Sequence, residues 1–171
     1  MLEQVSLFLA EIIAYLLPAY IANSSAMLFG RGPALDFGIT LKDGERLMVK
    51  GKTFIGSIAG IACGTLAAMV IYWFINVSFT ASYALLGFLL SAGAITGDII
   101  GSFIKRRNKI PSGQQMLFLD QLDFLVGAMI LGSAVYLPSL PAIGFAVAFT
   151  FISHRLTNWI AFRLGLKKVP W

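Results

Sequence analysis

The chain has 171 residues, of which 58% are hydrophobic and only 12% charged, with a mean hydropathy of +0.83. About a quarter of an ordinary soluble domain is charged, so half that amount excludes a disordered chain and argues against a soluble one. Thirteen basic against eight acidic residues give a net charge of +5; on so apolar a chain this excess speaks of membrane topology rather than nucleic acid.

The length fits one domain over residues 1–171. The single Cys63 lies in an apolar run, which leaves no intrachain disulfide and no CxxC metal site. Met1 to Leu17 contain Glu3 and Glu11 but no basic residue, unlike the positive start of a signal peptide, so the first apolar segment is expected to stay as structure.

A membrane crossing takes about 20 mostly apolar residues. A first helix is expected over 5–29. The long uncharged stretch from Thr53 to Gly97 is divided at Asn76–Ser82 into helices over 54–75 and 83–104. Leu137-Pro138-Ser139-Leu140-Pro141 divides the next one into helices over 119–136 and 142–164. The expected fold is thus an all-α integral membrane protein with five transmembrane helices.

Every Lys and Arg falls in 31–52, in 105–109 or in 155–168. Under the positive-inside rule the N-terminus is outside and the C-terminus cytoplasmic, with two cytoplasmic loops over 30–53 and 105–118. Attraction to anionic lipid explains most of these cations. It does not explain why glycines and carboxylates gather beside them.

In the first inner loop, Gly51-Lys52-Thr53 has the end of a P-loop, but the glycine that motif needs five residues earlier is Arg46. What survives is simpler. Thr53 can cap the second helix, whose positive end, beside Lys52, suits a phosphate; a capped helix with a topology-setting lysine is the equal alternative. Lys42-Asp43-Gly44-Glu45 has the composition of a turn.

Asp98 is the most informative residue. It lies about 10 Å below the inner boundary, seven residues before Lys105 at ~1.5 Å each. An ionisable group inside a span is costly and points to function; a structural pair with Asn23 or Arg155 is the competing reading. Gly93, Gly97 and Gly101 form a small-residue stripe that admits a neighbouring helix. Asp120 and Asp123, three apart, share a helix face. They either complement the helix dipole or form half of a magnesium site, with Asp98 as a third oxygen donor at the same level. His154 stands alone beside Arg155 and suits a structural or interfacial role. Trp73, Trp159 and Trp171 suit interface anchoring.

Gly97-Asp98, Lys105-Arg106 and Asp120-Gln121-Leu122-Asp123 together resemble the C-terminal signature of the CDP-diacylglycerol synthase superfamily of membrane CTP-dependent cytidylyltransferases. The likeness is closer to its small archaeal branch, the CDP-archaeol synthases, whose first inner loop resembles Pro33-x-x-Asp36-x-Gly38, Asp43-Gly44-x-Arg46 and Gly51-Lys52-Thr53 and which places Asn23 in the first helix. It covers nearly the whole chain. Two departures from the bacterial pattern are Gly101, where that signature has serine, and Lys109-Ile110-Pro111-Ser112-Gly113 in place of Lys-Asp-Ser-Gly.

The resemblance implies transfer of CMP from CTP to 2,3-di-O-geranylgeranylglyceryl phosphate, giving CDP-archaeol and pyrophosphate. It implies catalytic roles for Asp98, Lys105, Asp120 and Asp123. CTP contacts are implied for Asn23, Asp43, Gly44, Arg46, Gly51, Lys52, Thr53, Lys105 and Lys109. Mg²⁺ would be held by Asp98, Asp120 and Asp123, with Mn²⁺ able to substitute and a second cation admissible. CTP and a membrane lipid phosphate are then the partners, nucleic acid is not, and the oligomeric state is left open. The place of action is the cytoplasmic side of the cell membrane. The alternative, from another class, is a small transporter or channel that uses Asp98.

Overall fold

Five helices carry the chain: α1 (Leu2–Leu28), α2 (Phe54–Ile75), α3 (Tyr83–Arg107), α4 (Leu119–Gly132) and α5 (Leu140–Arg163). They are seen in a computed structural model that describes residues 2–49, 51–75, 82–111, 114, 116, 118–165 and 169. The expected outer turn at 76–81, Lys50, Lys167, Lys168 and Trp171 lie outside the described residues. Among those described there is no β-strand, only isolated bridges in the first loop.

Four of the helices, α1, α2, α3 and α5, are long and apolar enough to cross a membrane. The fifth corrects the expected 119–136. It has 14 residues, about 21 Å at ~1.5 Å per residue, and falls short of a ~30 Å hydrocarbon core. Ser133 to Tyr136 leave the helix as a turn, their N–H groups returning to the carbonyls of Met129, Leu131 and Gly132, just ahead of Pro138.

Other boundaries shift for local reasons. Thr53 does cap α2: its Oγ1 accepts the Gly56 N–H at 3.0 Å. α3 runs three residues past the expected 104, so Lys105, Arg106 and Arg107 form its last turn, where cations complement the helix dipole. α5 begins at Leu140, before the expected 142, because Pro141 is tolerated in a first turn that needs no N–H.

Two glycine faces set the packing. The Gly93–Gly97–Gly101 stripe does admit a helix: a Cβ on Gly97 would strike the Asp123 carbonyl, and one on Gly93 the Gly127 carbonyl. On α2, Gly56, Gly60 and Gly64 do the same against Ala26, Ala22 and Pro18 of α1. α1 and α3 thereby approach their partners at backbone distance, with Leu86, Leu90, Ala94, Phe124 and Leu125 filling the centre. Among the described residues α5 is packed more lightly, chiefly against α4 and α1. Ile58, Leu66, Trp73 and Phe74 of α2 and Ile152 and Leu156 of α5 are exposed, an apolar belt suited to lipid.

Pro18, inside α1, removes the N–H that the Ala14 carbonyl would otherwise accept. The Tyr83 hydroxyl of α3 donates to that carbonyl instead, at 3.0 Å. At the same end of the bundle Glu11, 6% exposed, accepts from the Tyr136 and Ser139 hydroxyls. Tyr15 donates to the Tyr136 carbonyl at 2.6 Å, so α1 is tied to the turn between α4 and α5.

Tyr83→Phe should cost about 1–3 kcal/mol, the penalty for an orphaned buried carbonyl. In a Pro18→Ala background, where the helical N–H returns, the cost should shrink. Unfolding of the four proteins in detergent micelles measures the coupling, and an equal cost in both backgrounds would remove Tyr83 as the replacement donor.

Candidate active site

The first inner loop is built around Asp36, which is 2% exposed. Its carboxylate accepts the N–H groups of Gly38 at 3.0 Å and Met48 at 3.2 Å and pairs with Arg46 at 2.5 Å. The Arg46 hydrogen bonds, above all, hold its carboxyl below the usual carboxylate range, against the opposing effect of burial. Gly44, at φ +81°, closes the expected turn, and Asp43 accepts the Glu45 N–H at 3.1 Å. That bond, with Arg107 beside it, lowers the Asp43 carboxyl too.

The loop is clamped to the end of α3. Ser102 Oγ accepts the Val49 N–H at 2.6 Å. Arg106 reaches Glu45 at 3.4 Å and the Ile110 carbonyl. Arg107 pairs with Asp43, donates to the Arg46 carbonyl at 2.6 Å and stacks over Phe103. These arginines count as topology signals in the sequence; here they also hold the loop's shape.

Beneath the loop lies a cavity of about 700 Å³. Seven of the expected site residues line it: Asn23, Gly51, Lys52, Thr53, Asp98, Lys105 and Asp120. Lys52 Nζ is ion-paired with Asp98, so the partner of the intramembrane carboxylate is neither Asn23 nor Arg155. Lys105 Nζ pairs with Asp120 at 2.7 Å and donates to the Gln114 carbonyl at 2.9 Å. Asp120 also accepts the Met116 N–H at 3.0 Å. The site therefore carries two lysine–aspartate pairs side by side.

Asp43, Gly44, Arg46, Lys109 and Asp123 are not on the cavity wall. The first three are committed to the loop. Lys109, at φ +54°, ends α3, its N–H returning to the Arg106 carbonyl at 3.0 Å. Asp123 packs against Gly101, where a Cβ would meet its carboxylate, and lies within electrostatic reach of Asp98, Lys52 and Asp120. Among the described residues no three His, Cys, Asp or Glu side chains form a ready metal cage. Sequence motifs do not mark one further part of the lining: His154, Thr157 and Asn158 of α5 face the cavity, and their spacing of three and four places them on one helix face.

A sequence model described as CarS-like, CDP-archaeol synthase, matches residues 4–171. The chain belongs to the CDP-archaeol synthase family. A CDP-archaeol synthase of Methanocaldococcus jannaschii is 42% identical over 166 residues, 92% of this chain and 94% of that protein. One of Thermococcus kodakarensis is 44% identical over 160 residues, 92% and 93% of the two chains. A solved structure of an intramembrane enzyme for archaeal membrane lipid biosynthesis aligns with a TM-score of 0.78 at 35% identity, over 85% of this chain and 91% of that one. Family membership makes the chain a CTP-dependent cytidylyltransferase of the membrane and displaces the transporter or channel reading.

Asp36→Asn removes the charge that Arg46 and two N–H groups address. The first loop should lose about 1.5–3 kcal/mol of protection, the range for hydrogen bonds to a charged group, seen as faster amide exchange over residues 36–48. A carboxyl lowered in the folded state stabilises fully above its ordinary value of 3.8, and that contribution is lost as pH falls through the lowered native value. Wild-type protection of the loop should hence be flat through neutral pH and fall only in acid; unchanged exchange in the variant would remove Asp36 as the loop's anchor.

Proposed function

We propose that this chain transfers CMP from CTP to an archaeal ether-lipid phosphate, 2,3-di-O-geranylgeranylglyceryl phosphate, releasing pyrophosphate and forming CDP-archaeol at the cytoplasmic face of the cell membrane. The observation that carries the reading is the wall of two lysine–aspartate pairs, Lys52–Asp98 and Lys105–Asp120, facing a cavity within helices in a chain of this family.

The chemistry asks little of a general base. A phosphate monoester has a second pKa of about 6, so the attacking oxygen is already anionic near neutrality. That oxygen bonds to the α-phosphorus as the bond to the β-phosphate's bridging oxygen breaks, and pyrophosphate carries the charge away. The enzyme must neutralise and align. Lys52 and Lys105 would exchange their carboxylate partners for phosphate oxygens, and the start of α2, with Gly51 at φ +107°, offers backbone N–H groups to the same anion.

The donors suit Mg²⁺. It prefers oxygen and is commonly held by one or two carboxylates together with substrate phosphates, without a full protein cage. Asp98 and Asp120 on the wall fit that requirement, with Asp123 behind them ordering its surroundings. When bound, the ion would neutralise the triphosphate as its charge shifts toward pyrophosphate. Mn²⁺ offers the same oxygen preference. Of the expected nucleotide contacts, Asn23, Gly51, Lys52, Thr53 and Lys105 lie in direct reach of the cavity, while Asp43, Gly44 and Arg46 act through the loop's shape.

Asp98→Asn and Asp120→Asn should each lower CDP-lipid formation about 100-fold or more, the scale of losing one charge-stabilising group, and raise the Mg²⁺ requirement. Asp123→Asn should follow if it orders the same ion. Lys52→Met should weaken CTP binding by about 1.5–3 kcal/mol. Labelled CTP, Mg²⁺ and the lipid phosphate with purified protein measure all four, and normal turnover with an unshifted Mg²⁺ requirement in both cavity-wall aspartate variants would overturn the metal assignment.

The proposed orientation has its own test, in protein with Cys63 replaced. A cysteine at position 42 or 114 should resist a membrane-impermeant maleimide in intact cells and react after permeabilisation, while one at 139 reacts from outside. Labelling of position 42 from outside would put the nucleotide site on the wrong face.

A further inference from the structure

The inner half of α5 has a role that the two lysine–aspartate pairs leave open. Along its inward stripe Ala142, Ala146 and Thr150 are buried, and no residue of α5 beyond Thr150 is. The stripe continues as His154, Thr157 and Asn158, which line the cavity. The contacts that tie α5 to α1 run from Phe8–Phe145 and Glu11–Ser139 at the opposite end to Tyr20–Thr150 midway along α5, one turn short of His154. On the inner half of α1, Ser24 and Met27 line the same cavity, and Met27 is 79% exposed. The two helices are thus joined as far as Thr150 and border a cleft only beyond it, with polar groups within it and apolar Leu156, Trp159 and Ile160 exposed on the outside of α5.

The reaction assigns that cleft an occupant. Displacement at phosphorus runs in line, so the attacking oxygen approaches from the face opposite the leaving pyrophosphate. With the triphosphate held by Lys52 and Lys105, α5 supplies a separate wall of the same cavity. A second phosphate placed next to the first would also meet its repulsion, whereas this wall has no acidic residue. Its Asn158 amide and imidazole N–H are donors of the kind that bind phosphate oxygens, and the Thr157 hydroxyl, which donates to the Ser153 carbonyl at 2.8 Å, would exchange that bond for a phosphate oxygen. We propose that His154, Thr157 and Asn158 bind the phosphate of the acceptor lipid, and that the lipid reaches them from the bilayer through the cleft between the inner halves of α1 and α5. This rests on the CMP-transfer reading and adds to it the second substrate's site.

Thr157→Val and Asn158→Leu, alone and together, test it in the full-length protein. The KM for the lipid phosphate should rise tenfold or more in the double variant, with KM for CTP within twofold of wild type. Equilibrium binding of a dialkylglycerol phosphate in micelles should weaken in parallel, while glycerol phosphate, the same head group without chains, competes weakly. A raised KM for CTP with unchanged lipid binding would show that this wall reads the nucleotide and would overturn the proposal, as would wild-type lipid binding in the double variant. Unaltered CTP binding in the variants shows that they fold. The two readings separate cleanly: a wild-type protein that makes no lipid nucleotide but loses lipid-phosphate binding on these changes defeats CMP transfer and keeps the site. A protein that makes it, with binding indifferent to α5, does the reverse.

Discussion

The pairing of Lys52 with Asp98 is the constraint on which the site depends. A charged carboxylate among apolar helices is unfavourable unless a cation meets it, and the cation here comes from 46 residues away, at the start of α2. To reach it, α2 must enter the bundle close to α1, and the glycines at 56, 60 and 64 permit that approach. Lys105 and Asp120 repeat the arrangement between α3 and the start of α4. Both pairs are only partly exposed, with side-chain accessibilities between 15% and 25%, so salt screens them less than it would a surface pair.

Such a site balances its own charges, and this suits its proposed chemistry. A cavity of bare lysines would attract any anion, and one of bare aspartates any cation. Paired, each charge waits for a ligand that brings both signs at once. A metal–nucleotide complex does so: its cation suits the carboxylates and its phosphates the ammonium groups. Selectivity then arises in part from the need to satisfy both halves of each pair together.

Much of this was visible in the chain. The four long spans follow from uninterrupted apolar runs, and the start of α2 from Thr53, whose cap is local. Asp98 stood out because a charge within a span is rare. The end of α4 did not: Ser133 to Tyr136 are apolar enough to continue a helix, and the turn there reflects the tie of Tyr136 to Glu11 across 125 residues. Nor did the split between Arg46, spent on Asp36, and Lys52, spent on Asp98, since motif spacing does not say which cation faces inward. His154 seemed isolated because what it meets, the Phe124 ring of α4 and the cavity lined from the other helices, is brought to it by packing. Sequence showed which residues were unusual; their partners are set by packing.

The clamp between the first loop and the end of α3 has a consequence for how the protein is made. Asp43, Glu45 and Val49 leave the ribosome well before Ser102, Arg106 and Arg107, which hold them. Until α3 has been synthesised and laid into the membrane, the loop lacks its tether and Asp98 is absent. The same arginines that retain the end of α3 on one side of the bilayer thus complete the loop on that side. Correct insertion and assembly of the cavity become a single event, and a chain with α3 threaded the wrong way would be without a pocket rather than with a misdirected one.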